Sequence, residues 1–197
     1  MKRIGNRNVW ILYSVLFFVS LALTWVPSAQ ITTAQAASAS DTAWDALTNL
    51  GNLVNALPDS AFRNRNKREA LLSKIDAIFD LLEADDYKHA KIKLMSDIED
   101  KIDKWIIASQ QAPILDALEL TIQAVLCAEP NGMVIPARSI GLPTTGGLVT
   151  STTVVPAAGT GAAAIGAYCM VLGEINPVDP TAPKIKFQVD LPAHWNR

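Results

Sequence analysis

The chain has 197 residues, half of them apolar, with 17 basic and 19 acidic side chains. It is too apolar to be disordered by composition, and its length suits one ordinary domain or two small ones. Its charge balance offers no basic footprint for phosphate, which argues against nucleic acid as a partner.

The first stretch, "MKRIGNRNVWILYSVLFFVSLALTWVPSAQITTAQA", reads as a secretory signal peptide over residues 1–36. Lys2, Arg3 and Arg7 make its positive region, Trp10 to Val26 is an uncharged apolar run, and Ala34-Gln35-Ala36 is a small-residue cleavage site. The alternative is an uncleaved membrane anchor, since the run approaches the length that spans a bilayer; Pro27 breaks it and favours cleavage. Removing these residues takes away three basic and no acidic side chains, which leaves the exported part near −5.

A helical module is predicted from Asp41 to Ile107. Trp44, Leu47, Leu50, Val54 and Leu57 fall at helical spacing, and Pro58 punctuates. Leu71, Leu72, Ile75, Ile78, Phe79 and Leu82 make a second stripe; Tyr87, Ala90, Leu94, Ile98, Ile102, Trp105 and Ile106 make a third. The short joint "EADD" makes the second and third helices antiparallel neighbours. Asp85 or Asp86 serves as N-cap there. His89 lies one turn on, but one histidine and two adjacent carboxylates are not a metal ligand set, so a solvated charged face is expected.

A further amphipathic helix starts at Pro113, which suits a first helical turn, and carries Ile114, Leu115, Leu118, Ile122, Val125 and Leu126. The text then turns to strands. "GGLVTSTTVVPAA" is rich in Val and Thr, "AYCMVLGEINP" is strand-like, and "KIKFQVDLP" alternates, with Ile185, Phe187, Val189 and Leu191 on one face. The last is predicted to be a half-buried strand. The linkers are loops, so an antiparallel meander is expected. Such a short sheet is marginal alone, and its last strand would be a long open edge. Cys127 and Cys169 both fall in the exported part. An even count in an oxidising compartment favours a disulfide; two buried free thiols are the alternative.

Two resemblances follow from particular motifs. "ALPDSAFRN", "KREALLSKIDAIFDLLEADDYKHAKIKL" and "DIEDKIDKWI" resemble the FIMAH domain, a small helical module of secreted and surface-exposed proteins. The resemblance implies a compact bundle attached to something else and supplies no catalytic residue. From about Cys127 to Asn196, the Cys127 region, "YCMVLGEI", "PVDPTAP" and "FQVDLPAHWN" resemble the amino-terminal part of the tannase and feruloyl esterase family. That resemblance implies a secreted α/β-hydrolase acting on esters of aromatic acids. The family's nucleophilic serine sits in a C-S-x-G-G-type elbow, a strained turn that needs glycine neighbours, and no such elbow occurs here. Ser139 and Ser151 lie near glycines in the wrong pattern. His194 follows a strand but does not occupy the family's catalytic position.

These readings combine into an α+β chain: a signal peptide over 1–36, a helical module over 41–107, and over 113–197 a helix with a short antiparallel meander that looks like the start of a hydrolase sheet. The expected function is the secreted, non-catalytic front end of a tannase/feruloyl-esterase-like hydrolase. The alternative is a stand-alone extracellular binding or adaptor module. Expected site residues are the cysteine pair alone, with no catalytic, cofactor or metal residues. The helical module is expected to meet a protein or cell-envelope partner, and the chain to meet a membrane only if the signal is retained.

Overall fold

A computed structural model describes residues 38–193. The expected signal peptide and His194 lie outside the described residues. Among those described, no helix is long and apolar enough to cross a membrane.

The helical layer comprises α1 (Ala39–Ala56), α2 (Lys67–Glu83), α3 (Tyr87–Lys93), α4 (Glu99–Trp105) and α5 (Ala112–Ala128). Ser38 caps α1: its Oγ accepts the Asp41 N–H at 3.2 Å, which satisfies one of the orphan donors of the first turn. Leu57 leaves the helical conformation and Pro58 follows, ending α1. α3 and α4 form one rod, joined by a π-helical turn at Leu94–Ile98. The sequence contains its cause. The buried residues of this rod are Ala90, Leu94, Ile98, Ile102 and Ile106, spaced by fours. An α-helix of 3.6 residues per turn drifts by about 40° at each such step, so the stripe would wander off the core. The wider π turn winds more slowly and takes back part of that drift. At this turn Asp97 also receives Lys74 of α2 at 2.7 Å.

The core of the layer is one cluster, to which α1 gives Leu47, Leu50 and Val54, α2 gives Leu71, Ile75 and Ile78, and the α3–α4 rod gives Leu94, Ile98 and Ile102. α5 enters the same cluster through Ile114, Leu118 and Val125, and packs chiefly along α1. The sequence groups the Pro113 helix with the strands; by packing it is a wall of the bundle. Its junction is built accordingly. The Gln111 side-chain amide donates to the carbonyls of Ile106 at 3.0 Å and Asp103 at 3.2 Å, occupying acceptors that the end of α4 leaves open. Ile107 N–H donates to Ala61 C=O and Arg63 N–H to Trp105 C=O, both at 2.9 Å, tying the α1–α2 connection to the end of α4.

The second layer is a four-stranded antiparallel sheet in the order β1 (Val134–Ile135), β2 (Gly146–Val155), β3 (Tyr168–Asn176), β4 (Ile185–Pro192). The short β1 carries too little pattern to be read from sequence. The fold class is α+β, as expected. β2 has a register shift between Val149 and Ser151, with Thr150 as the extra residue. Val149 and Val154 are an odd number of positions apart and would point to opposite faces of a regular strand. The bulge lets Val149 and Thr152 both bury, with Val154 packed against the helical core.

The helices cover only part of the sheet. Val149 on β2 and Val171 on β3 are buried beneath them. On the same face of β4, Ile185 is 54% exposed, Val189 44% and Leu191 37%. The half-buried strand predicted here is therefore mostly exposed, because the helical layer ends over β3 and none of the described residues covers β4. Its opposite face is polar, with Lys184 paired to Glu174 at 2.9 Å.

Candidate functional site

α5 and the sheet meet at the disulfide. Cys127 in the last turn of α5 and Cys169 near the start of β3 have their Sγ atoms 2.02 Å apart and their Cα atoms 5.4 Å apart, and no free cysteine is found among the described residues. Cys127 is fully buried beside Ala39 and Ala128, so the bond runs through the seam between the layers.

Beside this bond lies an open cleft of about 230 Å³. The disulfide and Leu126 form its helical side; Tyr168, Leu191 and Pro192 form its sheet side. The lining is mainly apolar, with the Gln123 amide and the Tyr168 ring as its amphipathic members. A second, more open hollow of about 510 Å³ lies beyond Tyr168 and Pro192, lined also by Ile165 and Asp190. Tyr168 and Pro192 thus form a shared wall. Such a surface can hold an apolar group, but acyl transfer needs more: a nucleophile, a base in hydrogen-bond reach of it, and donors for the oxyanion.

The described residues do not bring those groups together. Ser139 closes a 3₁₀ turn at Ala137–Ser139, and Ser151 is half-buried on β2 just past the bulge. His89, the only histidine among the described residues, is occupied elsewhere. Its ring Nδ1 lies 2.7 Å from one Asp86 oxygen and 2.8 Å from the other, and its backbone N–H donates to Asp86 at 3.2 Å. Asp86 is therefore the N-cap of α3. Its carboxyl is held below the usual range, first by the His89 ring, then by the His89 N–H. Asp85 takes the left-handed conformation (φ 55°) and accepts the Tyr87 hydroxyl at 3.0 Å. Of the two candidate caps Asp86 is the one used, and the cluster serves the turn. No group of three or more metal-ligating side chains occurs among the described residues. Asp100 on α4, flanked by Lys101 at 2.7 Å and Lys104 at 2.6 Å, is held down at about 2 by their hydrogen bonds; it belongs to an ordinary solvated helix face.

The cysteine pair was legible as two residues of one type downstream of the expected signal. The cleft beside it was not, because it forms only when the end of α5 is set against β3 and β4. No protein-family model matches the chain, and no solved structure matches it. A stretch of 73 residues, 37% of this chain, is 47% identical to an uncharacterized esterase of Agrobacterium fabrum, and that stretch spans only 13% of the relative's length.

Proposed function

We propose that this chain is an exported, non-catalytic front part of a carboxylic ester hydrolase of the tannase and feruloyl esterase type, carrying a FIMAH-like helical module ahead of the first strands. The observation that carries the reading is the 47% identity to an esterase of which the matched stretch is a small fraction. One feature supports it: the apolar face of β4 stands uncovered among the described residues, as the flank of a larger sheet would. Localisation outside the cytoplasm rests on the expected signal over residues 1–36.

The test has two arms. The purified chain, incubated with a chromogenic aryl ester and with methyl ferulate, is expected to show no turnover above a boiled control; turnover abolished by a serine-directed inhibitor would replace this reading with that of a small hydrolase. In the second arm, the matched segment of the Agrobacterium esterase is exchanged for the corresponding segment of this chain. The chimera is expected to be exported and to keep whatever aryl-ester hydrolysis the parent shows. A folded, inactive chimera would count against a shared role for the segment.

A specific observation favours a second reading, a stand-alone extracellular binding module. Ile92 is 47% exposed, Met95 52% and Leu120 59%, large apolar groups on the outside of the bundle. A chain that is stable and abundant in culture medium, together with a folded chimera that has lost the parent's activity, would favour it.

A further inference from the structure

The charge balance of the whole chain conceals a basic pole. Between Leu57 and Arg68 stand four cations, Arg63, Arg65, Lys67 and Arg68, against one anion, Asp59. These residues connect α1 to α2 at the end of the bundle away from the sheet. The seam lies at Ala39 and Cys127, and the 18 residues of α1 carry the chain about 27 Å from it. The connection is firmly held. Phe62 is buried before it, the Arg63 N–H donates to Trp105 C=O at 2.9 Å, and the Lys67 N–H donates to Asn64 C=O at 3.0 Å. Between these ties, residues 63–66 are exposed in a row.

Two of the four cations are engaged within the chain. Arg68 pairs with Asp59 at 2.7 Å, and Lys67 Nζ lies 4.4 Å from the centre of the Trp105 ring. The guanidinium groups of Arg63 and Arg65 make no ion pair and no hydrogen bond among the described residues. The fold does not account for them. They stand just before the first turn of α2, where a helix favours anions, so their placement costs stability. Local rules are broken in this way at functional surfaces. The form of the turn indicates the partner. A small anion or a single polymer strand is held in a groove, whereas these arginines stand on an exposed tip. Beside the tip is Ile107, 36% exposed and tied through its N–H to Ala61 C=O. A basic tip with an apolar neighbour fits a flat anionic surface with an apolar interior.

We infer that the α1–α2 connection docks the bundle on the surface of a bilayer containing anionic phospholipid, with Arg63 and Arg65 at the headgroup phosphates. Lys67 and Arg68 add to the attracting field, and each exposed cation strengthens the contact. The inference rests on the turn itself and not on the esterase reading.

The chain from residue 37 onward, which holds every described residue, tests this by co-sedimentation with vesicles. It is expected to pellet with phosphatidylcholine vesicles that carry about a third phosphatidylglycerol, not with phosphatidylcholine alone, and less so as salt is raised. Arg63→Gln with Arg65→Gln should lower the apparent affinity at least about tenfold. Lys88→Gln with Lys93→Gln removes the same charge from exposed positions of α3 and should leave the affinity within about twofold. Arg63→Lys with Arg65→Lys should keep binding, because a plane of headgroups asks for charge rather than for the guanidinium fork. Unchanged circular dichroism in each variant separates loss of docking from loss of fold. No preference for anionic vesicles, an equal loss in the Lys88 and Lys93 variant, or loss of binding in the lysine variant would each overturn the inference. Capture by soluble polyphosphate without vesicle binding would overturn it too, and would assign the turn to a soluble polyanion.

Discussion

Gly173 shows how one residue fixes the pairing of β3 and β4. It stands opposite Phe187, and the Phe187 ring lies across it where a side chain would otherwise be. A Cβ built at Gly173 would come 2.2 Å from Phe187 Cζ and 2.7 Å from the Leu148 carbonyl oxygen. The ring could swing away, but the Leu148 oxygen belongs to the backbone of β2 and cannot move without disturbing the β2–β3 ladder. Gly173→Ala is therefore expected to destabilise the chain by about 1–3 kcal/mol. Adding Phe187→Ala should recover little of it. Urea denaturation of the single and double variants checks this; full recovery in the double variant would place the clash in the ring alone. At the same scale, Asp86 makes a pH-dependent contribution of known sign. Its folded pKa lies below its ordinary 3.8, because the His89 ring and backbone N–H favour the carboxylate. Its stabilisation is thus complete above that ordinary value and is lost as pH falls through the lower folded one. Asp86→Asn keeps a side-chain oxygen for capping but removes the charge. The stability gap between wild type and this variant should be present at pH 5 and close as pH falls below about 4. A gap unchanged at pH 3 would show that the ionised carboxylate contributes nothing to α3.

At the scale of elements, α5 decides what counts as a module. An amphipathic stripe announces that a helix buries one face, and does not say against what. The stripe of α5 was therefore readable at Ile114, Leu118 and Val125, while its partners, α1 and the α3–α4 rod, were not. The helical module expected over 41–107 meets this packing directly: ending the chain at Ile107 uncovers the face of α1 on which α5 lies. Residues 38–128 should give a cooperative thermal unfolding curve by far-UV circular dichroism, and residues 41–107 a broad and weak one. Leu118→Ala, which empties a buried position shared by the bundle, should cost about 2–5 kcal/mol in the whole chain. A sharp melt for 41–107 would show that α5 is a passenger. Other elements were legible for stated reasons. β2, β3 and β4 follow from Val, Thr and aromatic runs bounded by Gly and Pro; the π turn at Leu94–Ile98 was not read, although the spacing by fours of Ala90, Leu94, Ile98 and Ile102 is the strain it relieves. The bulge at Thr150 was hidden, since it shows only when the odd separation of Val149 and Val154 is set against a single covering layer.

On the scale of the whole molecule, two layers of unequal strength are joined by a narrow seam. The helical layer has an extensive core; the sheet is buried only where β2 and part of β3 lie under α1 and α5. The Cys127–Cys169 bond crosses that seam and closes a loop with a sequence separation of 42. Chain-entropy reasoning gives such a cross-link about 4 kcal/mol. A paired substitution, Cys127→Ala with Cys169→Ala, removes the bond without placing a hydroxyl where Cys127 is buried beside Ala39 and Ala128, so its effect should fall chiefly on the sheet. Amide hydrogens of β3 and β4 are expected to exchange well before those of α1 and α2 in this variant, whereas in the oxidised chain the β3 amides near Cys169 should keep protection comparable to α5. The same separation should appear in the wild type on adding a strong thiol reductant, as local opening becomes easier for the less buried layer. Non-reducing peptide mapping of the purified chain identifies the bond independently. If both layers lose protection together in the variant, the seam is held by packing rather than by the bond, and the sheet and bundle unfold as one cooperative body.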